Sequence, residues 1–84
     1  MVSKRAKHIG LMVYHHEYNN ERFVAEVLRQ CLGYHFSQAL NCANVILIKG
    51  EYLVKTFKVS EQDKARAVLR VLHDHDIPAK LIPL

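Results

Sequence analysis

Between Lys7 and Tyr14 apolar and polar side chains alternate, with Ile9, Leu11 and Val13 on one side, which is the two-residue period of a half-buried strand. Beyond a polar turn, His15-His16-Glu17-Tyr18-Asn19-Asn20, the period lengthens. Phe23, Val24, Val27, Leu28 and Cys31 fall on one side of a helix whose other side carries Arg22, Glu26 and Arg29. Asn19 or Asn20 caps this helix by accepting a bond from its free N–H groups, and Glu21 suits the positive end of its dipole. Gly33 stops it, because glycine enters the left-handed conformation without a steric penalty.

Ser37 opens the next element, in which Ala39, Leu40, Ala43, Ile46 and Leu47 keep helical spacing up to Gly50. Val45-Ile46-Leu47-Ile48, then Lys49-Gly50, then Tyr52-Leu53-Val54 reads equally as a β-hairpin, since a short apolar run does not separate a buried helix end from a strand. By propensity alone the hairpin stands slightly ahead. Ser60-Glu61-Gln62-Asp63 starts a further helix with a capping-box pattern, and Ala65, Val68, Leu69 and Leu72 form its apolar stripe. Pro78 follows its end. Ala79 to Leu84 form a last short strand in which Pro83, having no N–H to donate, requires an edge or terminal place.

A chain of 84 residues supports one core, so we expect one domain over residues 8–84 behind a flexible segment, residues 1–7. No apolar run approaches the roughly 20 residues that cross a bilayer, and the basic start lacks the apolar stretch of a secretory signal, which makes the cytoplasm the expected location. Cys31 and Cys42 sit in apolar helical patterns and read as buried free thiols. The net charge of +4 admits a basic nucleic-acid- or ribosome-associated domain as the alternative class. Its cations are spread along the chain, however, and no aromatic-rich strand for stacking bases is present.

Six histidines prompt a search for a metal site. His15, His16 and Glu17 are adjacent and do not readily converge on one ion, His73 and His75 flank a helix end, and Gly33 separates Cys31 from His35. We therefore expect no metal and no cofactor. With no nucleophile elbow, phosphate-binding loop or carboxylate pair in the sequence, we also expect no catalysis.

The segment Val13 to Leu28 closely resembles the opening of the ClpS family, small adaptors that hand substrates to the AAA+ chaperone of the Clp protease. In that family the turn reads Asn-Asp-Asp-Tyr-Thr-Pro before a helix of the type Glu-Phe-Val-Val-Glu-Val-Leu. Here it reads His15-His16-Glu17-Tyr18-Asn19-Asn20, then Arg22-Phe23-Val24-Ala25-Glu26-Val27-Leu28. Element order, Gly50, Phe57 and the position of Pro78 extend the resemblance from about Ile9 to Leu84. It implies a helix ending at Gly50 and one strand from Glu51 to Lys58, hence an α+β fold in the order β-α-α-β-α-β, a three-stranded sheet covered on one face by helices. The C-terminal domain of the bacterial ribosomal stalk protein shares this topology; the polar turn and the Phe-Val-x-Glu-Val-Leu pattern select ClpS.

The resemblance implies a reader of N-degrons, in which an apolar pocket takes a bulky N-terminal side chain while polar groups hold the α-amino group. Its ligand site falls on His15, His16, Glu17, Asn19, Glu21, Val24, Ala43, Ile46, Leu47 and Ala79. An ammonium supplies only donors and needs acceptors. The family's Asn and Asp correspond to His15 and His16, its amine-binding His to Leu47, and its gating Met to Glu21, while Glu17 keeps one acid nearby. A protonated His repels an ammonium and Leu47 offers no acceptor, so altered or lost N-degron recognition is expected. The contact with the chaperone's N-terminal domain falls on Tyr18, Glu61 and Arg66.

Overall fold

Leu11 and Val13 are fully shielded from solvent, and this burial of the first strand's inner face sets the layers of the molecule. The computed structural model describes residues 7–84. Its elements are β1 (His8–Tyr14), α1 (Glu21–Leu32), α2 (Phe36–Lys49), β2 (Glu51–Lys58), a 3-10 turn (Val59–Glu61), α3 (Gln62–Asp74) and β3 (Ala79–Pro83). The sheet order is β2-β1-β3 with β1 antiparallel to both neighbours. Leu11 and Val13 pack into one core with Val24, Leu28 and Val27 of α1, Ala39, Ala43 and Ile46 of α2, and Ala65, Val68 and Leu72 of α3. Each fully buried leucine contributes about 1.5–3 kcal/mol through removal of its apolar surface from water. The flexible segment expected over residues 1–7 lies, for residues 1–6, outside the described residues; the Lys7 carbonyl accepts the Val59 N–H at 3.2 Å.

β1 and β2 do not pair in simple alternation. Leu11 stands opposite Lys55 and Met12 opposite Leu53, so Val54 is an extra residue on β2. Such a bulge turns one side chain and leaves its backbone without a ladder partner. Val54 points into the core, and its carbonyl accepts the Tyr34 hydroxyl at 2.7 Å. Burial raises the Tyr34 pKa, which keeps the phenol a donor.

The helix ends show which caps operate. Asn20, not Asn19, caps α1, its Oδ1 accepting the Phe23 N–H at 2.7 Å. Gly33 (φ 71°) closes α1 and Gly50 (φ 87°) closes α2 in the left-handed conformation. Residues 45–49 are therefore helix and the hairpin is excluded. Ala39, Ala43 and Ile46 recur at helical spacing on the buried side, and their packing outweighs the strand preference of the Val-Ile-Leu-Ile run. Leu47 and Ile48 are left outside, 46% and 72% exposed.

The start of α3 differs from the expected capping box. Ser60 lies inside the 3-10 turn, which the Glu61 carboxylate closes by accepting the Lys58 N–H at 3.0 Å; Glu61 stands at the N-cap of α3 but makes no side-chain cap bond to it. The serine is drawn into the turn because the chain must leave β2 and reverse before the helix begins. At the other end Asp76 takes the left-handed conformation (φ 58°), the Asp76 N–H bonds to His73 O at 3.0 Å and the Ile77 N–H to Leu72 O at 2.9 Å. This is a Schellman closure, sealed by burial of Ile77 beside Leu72.

Replacing Gly50 with Ala should destabilise the protein by about 1–2 kcal/mol, the cost of a left-handed L-residue, with no change of fold. Denaturant melts with circular dichroism read this directly; unchanged stability would mean that the helix end does not need that conformation.

Candidate functional site

The turn after β1 is held at both ends by backbone bonds. Tyr14 N–H donates to Pro78 O at 2.9 Å and His15 N–H to Gly50 O at 2.8 Å, so β1 leaves the sheet wedged between the end of α2 and the approach to β3. Further along, Asn19 N–H donates to His16 O at 2.9 Å, Tyr18 N–H to His16 Nδ1 at 3.2 Å, and Asn19 Nδ2 to Asp76 O at 3.1 Å. Five bonds across six residues leave the turn little freedom, although His15, His16 and Glu17 are exposed.

The sequence-derived ligand residues divide by exposure. Val24, Ala43 and Ile46 are buried in the core. Leu47, one turn before Gly50, is half exposed, and Ala79 pairs with Val13 beside the start of the turn. Glu21 and Asn19 are half-buried, and Asn19 spends its amide on the α3–β3 loop. His15 and Ala79 thus stand at the same end of the sheet, beside the Gly50 stop of the helix that carries Leu47.

On the other flank of the turn lies an open groove of about 630 Å³, lined by His16, Tyr18, Asn20, Phe23, His75 and Asp76 among others. His75 Nδ1 lies 2.8 Å from Val71 O, and since a carbonyl only accepts, that nitrogen carries a proton. The Phe23 and His75 ring centroids lie 6.2 Å apart with the planes tilted by 50°. Phe23, His75 and Asp76 were not expected here. Phe23 reads as core from its helical position, and only the docking of α3 beside α1 brings residue 75 to residue 23.

Tyr18 is 83% exposed. Glu61 and Arg66 stand in and beyond the 3-10 turn, at the opposite end of α3 from His75; the step of nine positions from Arg66 to His75 rises about 13 Å along the helix. Tyr18 is therefore not adjacent to Glu61 and Arg66. The Glu61 carboxylate is held below its ordinary range by the Lys58 N–H and has Lys64 Nζ at 3.9 Å. Cys31 and Cys42 are half-buried free thiols, both pushed up by burial. Among the described residues no group of three or more His, Cys, Asp or Glu is placed to hold a metal ion, and no helix is long and apolar enough to cross a membrane.

No family model matches the chain, and no curated protein matches it. Among solved structures, Agrobacterium tumefaciens ClpS2 bound to L-phenylalaninamide is similar with a TM-score of 0.77 at 16% identity, over 95% of this chain and 100% of that one. The chain has the ClpS-like α+β fold, a three-stranded antiparallel sheet with three helices.

Because the Glu61 pKa is lowered in the folded state, its bond to Lys58 contributes stability above the unfolded value of 4.5 and loses it as pH falls through the folded value. Glu61→Gln should therefore be less stable than the parent near neutral pH, and the gap should shrink below pH 4.5. Paired thermal melts from pH 7 to 3 test this; a gap independent of pH would show that the charge of the carboxylate plays no part.

Proposed function

We propose that this chain is a non-enzymatic adaptor of the cytoplasm that binds the N-terminal domain of a Clp AAA+ chaperone and modulates which substrates reach the protease. One observation carries the reading: on a ClpS-like fold, the turn holds out a tyrosine that is 83% exposed while its backbone N–H is bonded to His16. A large amphipathic side chain carried on a backbone held this way costs little backbone entropy when a partner covers it, which suits an interface anchor. Glu61 and Arg66 supply charged contacts further along α3.

In this reading N-degron recognition by the same protein is altered or lost. L-phenylalaninamide, the ligand of the similar ClpS2, has an aromatic side chain and a free amine. An amine of this kind needs acceptors, whereas this chain presents His15, His16 and Leu47 where the resemblance places them. Val24, Ala43 and Ile46, which the resemblance assigns to the pocket wall, are buried in the core, and Glu21, which it assigns to the entrance, is half-buried at the start of α1.

Tyr18→Ala should lower affinity for the chaperone domain by about tenfold or more without affecting the melting temperature. Calorimetry with the isolated domain measures it; unchanged affinity removes Tyr18 from the interface, and binding that collapses with salt and depends diffusely on Lys and Arg marks nucleic-acid association instead. For the ligand site, the double variant His16→Asp, Leu47→His should gain binding to phenylalaninamide over its N-acetylated form. If the variant ignores both, the amine site lies elsewhere.

A further inference from the structure

Between the first turns of α3 and the end of β3 lies a second groove, of about 360 Å³, whose apolar side is formed by Ile9, Val59, Leu81 and Pro83 and whose ionisable side chains are His8 and Arg66. No carboxylate lines it. The ion pairs among the described residues are Glu26–Arg29 and Glu61–Lys64, so Arg66 has none, and Asp63 three residues before it does not engage it. Glu61 is committed to Lys58 and Lys64. Arg70 follows Arg66 one turn later, exposed and outside the lining of the groove, where its long side chain can reach the rim. One turn further, His73 Nε2 reaches Ala79 O at 2.9 Å, which brings this side of the helix down against the start of β3.

The seam thus combines an apolar trough with unpaired guanidinium groups. Val59 is 41% exposed in it, and apolar surface of this kind favours cover by another apolar group. A guanidinium without an internal partner recognises a carboxylate through two parallel bonds. A two-fold contact of the seam with itself would set Arg66 and Arg70 against their own copies, in a chain that already carries +4, and is disfavoured. We propose that the α3–β3 seam docks an acidic segment of a partner protein, one apolar side chain seated between Val59, Leu81 and Pro83 and flanking carboxylates held by Arg66 and Arg70. This surface shares Arg66 with the proposed chaperone contact, but Val59 and Arg70 belong to it alone.

The isotope-labelled protein is titrated at low salt with acetyl-Glu-Asp-Leu-Glu-Asp-amide while backbone amide shifts are followed by NMR. Ile9, Val59, Arg66 and Leu81 should shift and Tyr18 and Phe23 should not. The Gln/Asn counterpart of the peptide, and the peptide with Ala for Leu, should each bind about fivefold or more weakly. Arg70→Glu should weaken the acidic peptide by about tenfold and Val59→Ser by about threefold, with Tyr18→Ala leaving it unchanged. Absence of shifts at the seam, equal binding of the Leu and Ala peptides, or shifts centred on Tyr18 and His75 would each overturn the proposal. Failure of the chaperone reading has a different signature: the isolated chaperone domain fails to bind, or binds Tyr18→Ala as well as the parent, whatever the peptide does.

Discussion

β1 has neither a free edge nor a free inner face, and the placement of everything else follows from that. Its backbone is bonded to β2 on one side and β3 on the other, and Leu11 and Val13 are buried beneath helices contributed by three separate parts of the chain. Backbone groups without water must be paired within the protein, so a central strand of this kind is the part of the fold least able to move. The turn that follows it inherits the constraint. It begins where β1 ends, between Gly50 and Pro78, and its bonds to both make the exposed histidines and Tyr18 extensions of the rigid sheet.

The same geometry divides the surface. α3 runs from the cationic groove beside β3, where Arg66 lies among apolar side chains, to the aromatic groove beside the turn, where His75 meets Phe23. The two grooves face different chemistry because the helix carries Arg66 near its start and closes at the other end with Asp74, followed by Asp76. The two grooves are thus held apart by the length of one helix.

Local irregularities carry more of the architecture than their size suggests. The bulge at Val54 turns that side chain inward and frees a carbonyl that Tyr34 takes, tying the α1–α2 connection to β2. Asp76, in a conformation ordinarily left to glycine, ends α3 so that Ile77 is buried and the Asp76 carbonyl faces Asn19. Both are backbone events with consequences for the turn, since Asn19 holds the turn to that loop.

Much of the fold was legible in the residues. The alternation of Ile9, Leu11 and Val13, the stripes of α1 and α3, and the glycine stops at 33 and 50 are local periodicities and local steric rules, which need no knowledge of distant residues. Whether Val45 to Ile48 form helix or strand was not legible from pattern, because both conformations satisfy so short an apolar run; burial of Ala39, Ala43 and Ile46 against α1 and the sheet decides it. His15, Leu47 and Ala79 follow from the family resemblance and not from any local pattern, and Phe23, His75 and Asp76 carry no shared local signal, nor does the seam of Val59, Leu81 and Arg66. The sequence by itself determined β1, α1 and α3 and most of their buried faces, because spacing along the chain is enough to make one side of a helix or strand apolar. Only the tertiary structure decided which exposed groups share a groove, because that depends on the docking of elements far apart in the chain.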